Sequence, residues 1–189
     1  MTTTAPAGFH GKLPGVGDFV QRRLPASFVL PWDAHFAACL DAVRQQLGER
    51  WPAAYRSSAV RAFALGPGVC GNAAWAGVIG PGEDRVGRCF PLTLAAPLGD
   101  GQLPASAWFA ALAGCLGRAL RARADAVALD TALLALPVAG HAAATPAPPA
   151  GQSLWWPLGG SAMPLPGLPD ADCYLAWLLA DQDITEVTR

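Results

Sequence analysis

Charged residues are scarce in this chain, so the places where they gather indicate where chemistry could occur. Only 14% of the 189 residues are charged, yet Glu83, Asp84, Arg85 and Arg88 lie within six positions of one another. Arginine binds carboxylates and phosphates through paired hydrogen bonds, so this segment could hold an anion or a protein partner. The alternative is a solvent-exposed turn whose charges pair locally and contribute little. The residues alone leave both interpretations open.

A second polar group lies near the start of the chain, after a glycine-rich turn that carries Lys12, the single lysine. Its members are Asp18, Gln21, Arg22 and Arg23. The turn itself is not a phosphate loop, because such a loop places Ser or Thr after Gly-Lys and continues into a helix. Here Leu13 and Pro14 follow Lys12, and proline has no N–H to donate. A structural turn is therefore the favoured interpretation of this segment.

The sequence carries no signature of a catalytic centre. Its serines lack the G-x-S-x-G setting of an exposed nucleophile, and none of the five cysteines is tied by sequence to an activating base. His35 and Cys39 are four residues apart and could share one side of a helix, but two ligands do not make a metal site. We therefore expect no enzymatic activity, no catalytic residue, no metal and no cofactor.

The composition excludes several classes of protein. A net charge of −1 gives no overall field for nucleic acid or anionic lipid, and 52% hydrophobic residues exclude a disordered chain. The main uncharged apolar stretch, residues 62–82, contains too many glycines and prolines for a membrane-spanning helix. No secretory signal is visible, and the odd number of widely spaced cysteines is typical of reduced thiols. These features predict one cytoplasmic domain without membrane insertion.

Hydrophobic spacing predicts the elements that position the polar groups. Apolar residues recur every three or four positions from Trp32 to Leu47, which predicts a helix that begins either near Ser27, with Pro31 in its first turn, or at Pro31 itself. Short strands joined by a tight turn are expected within residues 8–20. Further predicted strands cover 60–65, 73–79, 90–96 and 153–158, and further helices cover 106–124 and 170–180, with 125–136 either prolonging a helix or starting another.

The middle strands are apolar almost throughout, which predicts helices on both faces of their sheet, and their short links favour antiparallel neighbours. The expected fold is α/β (α+β), a three-layer α-β-α sandwich with a mostly antiparallel central sheet. We expect residues 1–189 to form a single domain. Within it, residues 1–7 are expected to be a flexible tail, and the stretch 137–151, rich in Ala, Pro and Gly, a flexible loop.

Several motifs in a fixed order resemble the TagF family, accessory proteins of bacterial type VI secretion. The first motifs are GFHGKLP at 8–14, GDFV at 17–20, LP at 24–25, FV at 28–29 and WD at 32–33. The later motifs are DRVGR at 84–88, FPLT at 90–93 and SLWW at 153–156. The resemblance extends over residues 8–180. One departure is His10, which stands where the family usually has an aromatic residue.

This resemblance implies a cytoplasmic, non-enzymatic regulator that represses type VI secretion after translation. Its implied partners are secretion components, above all a forkhead-associated scaffold protein, in a pathway that uses threonine phosphorylation. It also implies an α-β-α sandwich, in agreement with the strand pattern. An alternative of a different class is a small-anion or phosphopeptide-binding module in which Lys12, Arg85 and Arg88 hold the anion.

The family has no catalytic residues to transfer, so the polar motif residues are the candidates for function. We expect two motif loops to converge into an interaction surface, with a nearby helix start fixed by Trp32 and Asp33. The expected surface residues are Lys12, Asp18, Arg22, Asp84, Arg85 and Arg88.

Overall fold

The computed structural model describes residues 5–99, 101–136 and 141–187. Strands and helices follow one another along the chain in the order that the sequence predicts, with several short additions. The elements are β1 (Gly8–Lys12), β2 (Phe19–Arg22), α1 (Ala26–Leu47), a 3₁₀ turn (Gly48–Arg50), α2 (Trp51–Arg56), β3 (Arg61–Leu65), β4 (Trp75–Gly80), β5 (Leu92–Pro97), β6 (Gln102–Pro104), α3 (Ser106–Arg121), α4 (Ala126–Leu134), β7 (His141–Pro146), β8 (Gln152–Pro157), β9 (Met163–Pro166) and α5 (Ala171–Val187).

The central sheet contains seven strands in the order β2-β1-β5-β4-β3-β8-β9. Every neighbouring pair in it is antiparallel, which confirms the expected antiparallel sheet. β1 pairs with β5 although more than 70 residues separate the two strands in the sequence, with Phe9 opposite Leu94 and His10 opposite Thr93. β6 and β7 form a separate two-stranded sheet.

Both faces of the central sheet are covered, because successive strand residues point into different cores. On β4, Trp75 belongs to the core that includes α1, α2 and α5, whereas Val78 belongs to the core that includes α3 and α4. Trp155 and Trp156 on β8 divide in the same way. This two-sided burial explains the apolar strands and confirms the three-layer α-β-α sandwich.

Helix α1 begins earlier than either predicted start. Pro25 occupies the N-cap position without a side-chain bond, and Pro31 lies inside the helix. The N–H groups of Phe28 and Val29 donate to the Pro25 carbonyl, and both side chains are buried. Core packing of this extra turn offsets the cost of the backbone bond that Pro31 cannot make.

The segment 125–136 starts a new helix. The Asp125 carboxylate accepts a hydrogen bond from the Ala128 N–H at 2.8 Å, which is the arrangement of an N-cap. α3 therefore ends at Arg121, and α4 follows as a separate element.

Two segments expected to be flexible contain ordered contacts. Within 137–151, His141–Pro146 forms β7 and pairs with β6, which corrects the loop prediction for those residues; 137–140 lie outside the described residues. Strand pairing uses the backbone, so a stretch of Ala and Pro shows no alternation that predicts it. In the expected tail, residues 1–4 are not described, but Ala7 is buried and its carbonyl accepts hydrogen bonds from Arg23 at 3.1 and 2.9 Å. None of the helices within the described ranges is long and apolar enough to cross a membrane.

Candidate functional site

Asp84 is the centre of the polar cluster and is only 2% exposed. Its Oδ2 atom lies 3.1 Å from Lys12 Nζ and accepts a hydrogen bond from Arg88 Nε at 2.7 Å. Its Oδ1 atom accepts the backbone N–H groups of Val86, at 3.1 Å, and Arg88, at 2.9 Å. One buried carboxylate therefore joins β1 to residues 84–88, which we call the arginine loop.

The environment of Asp84 favours its charged form. Burial is the largest single influence and acts in the opposite direction, since it raises the pKa. Hydrogen bonds from the Arg88 backbone, from Lys12, from the Arg88 side chain and from the Val86 backbone together outweigh burial and hold the pKa of Asp84 well below its ordinary value. The carboxylate is thus a fixed negative charge in the folded protein.

The arginine loop closes on itself because its backbone can turn sharply. The Asp84 N–H donates to the Arg88 carbonyl, and the Gly87 N–H donates to the Asp84 carbonyl, each at 3.0 Å. Gly87 has a φ of 87°, a conformation that glycine adopts without steric cost. The Asp-x-x-Gly-Arg order is therefore a turn built around its own aspartate.

The arginine loop lies against the turn that connects β1 to β2, residues 13–18. The Arg85 N–H donates to the Val16 carbonyl at 2.8 Å, and Arg88 Nη2 donates to the Gly17 carbonyl at 2.6 Å. Together with the Lys12 ion pair, these bonds bring the two motif loops together around Asp84.

Several side chains at this junction face solvent. Arg85 and Arg88 are exposed, Val86 is 70% exposed and Phe19 is 44% exposed. The guanidinium of Arg85 has no hydrogen-bond or ion-pair partner within the described part of the chain. A charged, an aliphatic and an aromatic side chain are thus available to a partner.

His10 supports the same junction from beneath. Its ring stacks on Phe19, with centroids 5.6 Å apart, and the Lys12 ammonium lies 5.1 Å from the Phe19 ring centroid. His10 Nε2 forms a hydrogen bond with Asp33 Oδ1 at 2.6 Å. His10 therefore makes the ring contacts of an aromatic residue and adds a hydrogen bond to α1.

Other expected site residues lie apart from the Asp84 cluster. Asp18 accepts the Phe19 N–H at 2.8 Å, and Arg22 donates to the neighbouring Gln21 carbonyl at 2.9 Å. Both side chains are exposed, and these hydrogen bonds join each of them only to an adjacent residue. Asp18 and Arg22 lie beside the contact between the β1–β2 turn and the arginine loop, and they form none of the bonds that join the two.

Trp32 and Asp33 do not fix a helix start, since α1 begins at Ala26. Trp32 is 0% exposed, and its ring packs on Phe28 and Phe63, each with centroids 5.1 Å apart. This expectation is corrected: Trp32 is a core residue, and Asp33 acts on the site through His10.

Lys12 is 7% exposed and its ammonium already faces Asp84. It therefore presents little charge to an anion from solution. Of Lys12, Arg85 and Arg88, the three residues expected to hold an anion, only the two arginines are therefore available to do so.

A cleft of about 740 Å³ lies beside the arginine loop, and the sequence did not predict it. The second half of α1, the 3₁₀ turn, α2 and residues 87–90 line it. Arg44, Arg56 and Arg88 all line it, although no sequence pattern relates the three.

Fold and site together define a three-layer α+β sandwich whose two polar loops are tied around one buried aspartate. The chain belongs to the TagF N-terminal domain family, which is type VI secretion system-associated and whose sequence model matches residues 8–136. This confirms the family resemblance and an association with type VI secretion.

A solved structure extends the similarity beyond the family match. The crystal structure of PA0076 from Pseudomonas aeruginosa PAO1 is similar to this chain with a TM-score of 0.78 and 33% sequence identity. The similarity covers 91% of this chain and 93% of that one. No curated protein matches the chain.

Proposed function

We propose that this protein represses type VI secretion after translation by binding a component of the apparatus in the cytoplasm. Its family is associated with that secretion system, and the partner that we propose is a forkhead-associated scaffold protein. The observation that carries the proposal is the exposed Arg85 guanidinium, which has no partner within the described residues and lies on a loop anchored by the buried Asp84.

The surface around Arg85 has the composition of a binding site. Arginine and aromatic residues are enriched among the residues that dominate interface energies. Here Arg85 is followed by the exposed Val86, and the exposed Phe19 packs on Phe90, which lies shortly after the arginine loop. The loop is already held by hydrogen bonds to Val16 and Gly17. A preformed loop loses less conformational freedom on binding, which favours affinity.

Two of the buried thiols are poorly suited to nucleophilic catalysis. Burial raises the pKa of Cys39 and of Cys70 to about 12, so both remain protonated near neutral pH. A thiol that stays protonated is a poor nucleophile. Since the sequence also carries no signature of a catalytic centre, we propose a non-enzymatic regulator.

Affinity capture from the protein's own cells tests this proposal. The baits are the tagged native chain, the double variant Arg85→Ala, Arg88→Ala, and a matched control, Arg118→Ala, Arg121→Ala, which removes the same charge from α3. Asp84 keeps Lys12 and two backbone donors in the first variant, so we expect it to melt cooperatively like the native chain. If it does not, Arg85→Ala alone replaces it.

We expect the native chain and the α3 control to recover the forkhead-associated scaffold, and the loop variant to recover far less of it. Recovery of no secretion component by the native chain would contradict the proposed function. Equal recovery by all three baits would contradict the proposed surface.

A further inference from the structure

The cleft beside the arginine loop has the size of a ligand site. Its volume of about 740 Å³ lies within the roughly 300–1,000 Å³ range of small-ligand pockets. Leu40, Trp51 and Phe90 contribute apolar lining, and Arg44, Arg56 and Arg88 contribute charge. A ligand for this cleft must therefore offer both hydrogen-bond acceptors and apolar groups.

Two of the three arginines are fixed in place by internal carboxylates. Arg56 Nε donates to Glu83 at 2.6 Å, and Arg88 Nε donates to Asp84 at 2.7 Å. Their side chains nevertheless remain 55% and 61% exposed. Among the described residues, both Nη atoms of Arg56 and Nη1 of Arg88 have no hydrogen-bond partner. The internal carboxylates restrain these guanidinium groups and leave terminal N–H donors for another acceptor.

Arg44 differs from the other two because its side chain has no internal ion pair or hydrogen bond among the described residues. It is exposed on α1 and contributes to the same lining. Its guanidinium keeps all of its donors, so Arg44 is the arginine whose loss should affect a ligand most and the fold least.

The acidic residues of the cleft limit what can enter. Asp41 already accepts a hydrogen bond from Gln45 at 3.0 Å, whereas the Glu49 carboxylate has no hydrogen-bond or ion-pair partner among the described residues. A single strong anion would be repelled by Glu49. A ligand that places separate carboxylates beside the arginines and apolar groups elsewhere suits this mixed lining better.

We propose that this cleft binds an acidic peptide segment of a protein partner, with carboxylates of the segment on Arg44, Arg56 and Arg88. The inference rests on the proposed function, since it supplies the chemistry by which a partner protein is recognised. Planar guanidinium groups donate paired hydrogen bonds to carboxylates. Arg44 and Arg56 can form such pairs, and Arg88 adds the donors of its Nη1 atom.

Fluorescence anisotropy with the purified full chain tests the proposal. The probe is a labelled short peptide of alternating Glu and Ala, and its control is the same peptide with Gln in place of Glu. The variants are Arg44→Ala, Glu49→Gln, and Arg118→Ala as a matched loss of charge on α3. Inorganic phosphate, added at constant ionic strength against chloride, distinguishes a peptide from a free anion.

At low salt we expect the Glu peptide to bind about tenfold more tightly than the Gln peptide, since charge pairs across an interface give effects of this order. Arg44→Ala should weaken binding by about fivefold to tenfold and Glu49→Gln should strengthen it, while Arg118→Ala should leave it unchanged. Added salt should weaken binding further through screening.

Equal binding of the two peptides, or equal loss with Arg44→Ala and Arg118→Ala, would overturn the proposal. Complete displacement by phosphate but not by chloride would also overturn it, because the cleft would then be a site for a free anion. The assay uses the isolated chain, so its failure concerns the cleft alone, whereas failure of the capture from cells concerns the secretion partner.

Discussion

The ammonium group of Lys12 lies 3.1 Å from the carboxylate of Asp84, and the two side chains are 8% and 0% exposed. One belongs to the first strand and the other to the loop that precedes β5. The loop that carries the exposed Arg85 and Arg88 is therefore anchored by a buried ion pair, and Arg88 also bonds to its carboxylate. The stability of this pair and the function of the surface can be tested separately.

Asp84→Asn should destabilise the fold strongly. Removal of one partner of a buried ion pair leaves the other without a counter-charge, at a cost of about 3 kcal/mol. For a chain of this size, that loss lowers the Tm by about 6–12 °C. Thermal melting followed by circular dichroism measures it, with the exposed Asp18→Asn as the control. Equal melting of the two variants would show that the Lys12 pair adds no stability.

The lowered pKa of Asp84 makes its contribution depend on pH. Because the folded pKa lies below the unfolded value of about 3.9, the stabilisation is complete above that value and is lost as the pH falls toward the folded pKa. Urea unfolding of the native chain and of Asp84→Asn should show a large difference near pH 7 that shrinks progressively below about pH 4. A difference that stays constant into the acid range would contradict the assigned pKa direction.

Gly11→Ala should prevent normal packing of β1 on β5. Gly11 has a φ of 135°, and a Cβ atom there would lie 2.0 Å from the Pro91 carbonyl oxygen. Neither backbone can yield, so we expect a loss above about 3 kcal/mol or no soluble protein. Gly17→Ala is the control, since its nearest neighbour is the mobile end of Arg85 at 3.3 Å. Soluble yield and urea midpoints that match in the two variants would refute this account.

The cysteines should differ in their reactivity toward alkylation. Cys39, Cys70 and Cys115 are buried, whereas Cys89 and Cys173 are partly exposed. Since only the thiolate reacts and burial raises the pKa of Cys39 and Cys70 to about 12, we expect iodoacetamide to modify Cys89 and Cys173 first in the native protein. Mass spectrometry of timed samples identifies the order. Early modification of Cys39 or Cys70 would mean that the core opens readily.

Much of the fold could be predicted because buried positions are occupied by apolar residues at a regular spacing in the sequence. The apolar runs of β3, β4 and β5 correctly predicted a sheet that is covered on both faces. The spacing of apolar residues from Trp32 to Leu47 correctly predicted a helix with one buried face. That spacing already placed Trp32 on the buried side, whereas the expected role of Trp32 at a helix start was wrong because α1 begins at Ala26. No side-chain pattern in the sequence predicts β7, because its pairing with β6 depends on backbone groups.

The site was less predictable because its contacts join distant segments. Lys12 meets Asp84 only because β1 pairs with β5, and neither strand carries a pattern that specifies that partner. The arginine loop could be recognised from its density of charged residues. The same density identified Arg85 and Arg88 as candidate interaction residues. The sequence did not identify Arg44 and Arg56 as residues of the cleft, since they lie in ordinary exposed positions of α1 and α2.

The most direct test of the central claim measures secretion in living cells. The amount of a secreted apparatus component in the culture medium is compared between cells lacking this protein and cells expressing the native chain, the Arg85→Ala, Arg88→Ala variant, or the Arg118→Ala, Arg121→Ala control at equal levels. We expect high secretion without the protein, repression by the native chain and by the control, and release of repression with the loop variant. Secretion that is unchanged by loss of the protein would contradict its role as a repressor.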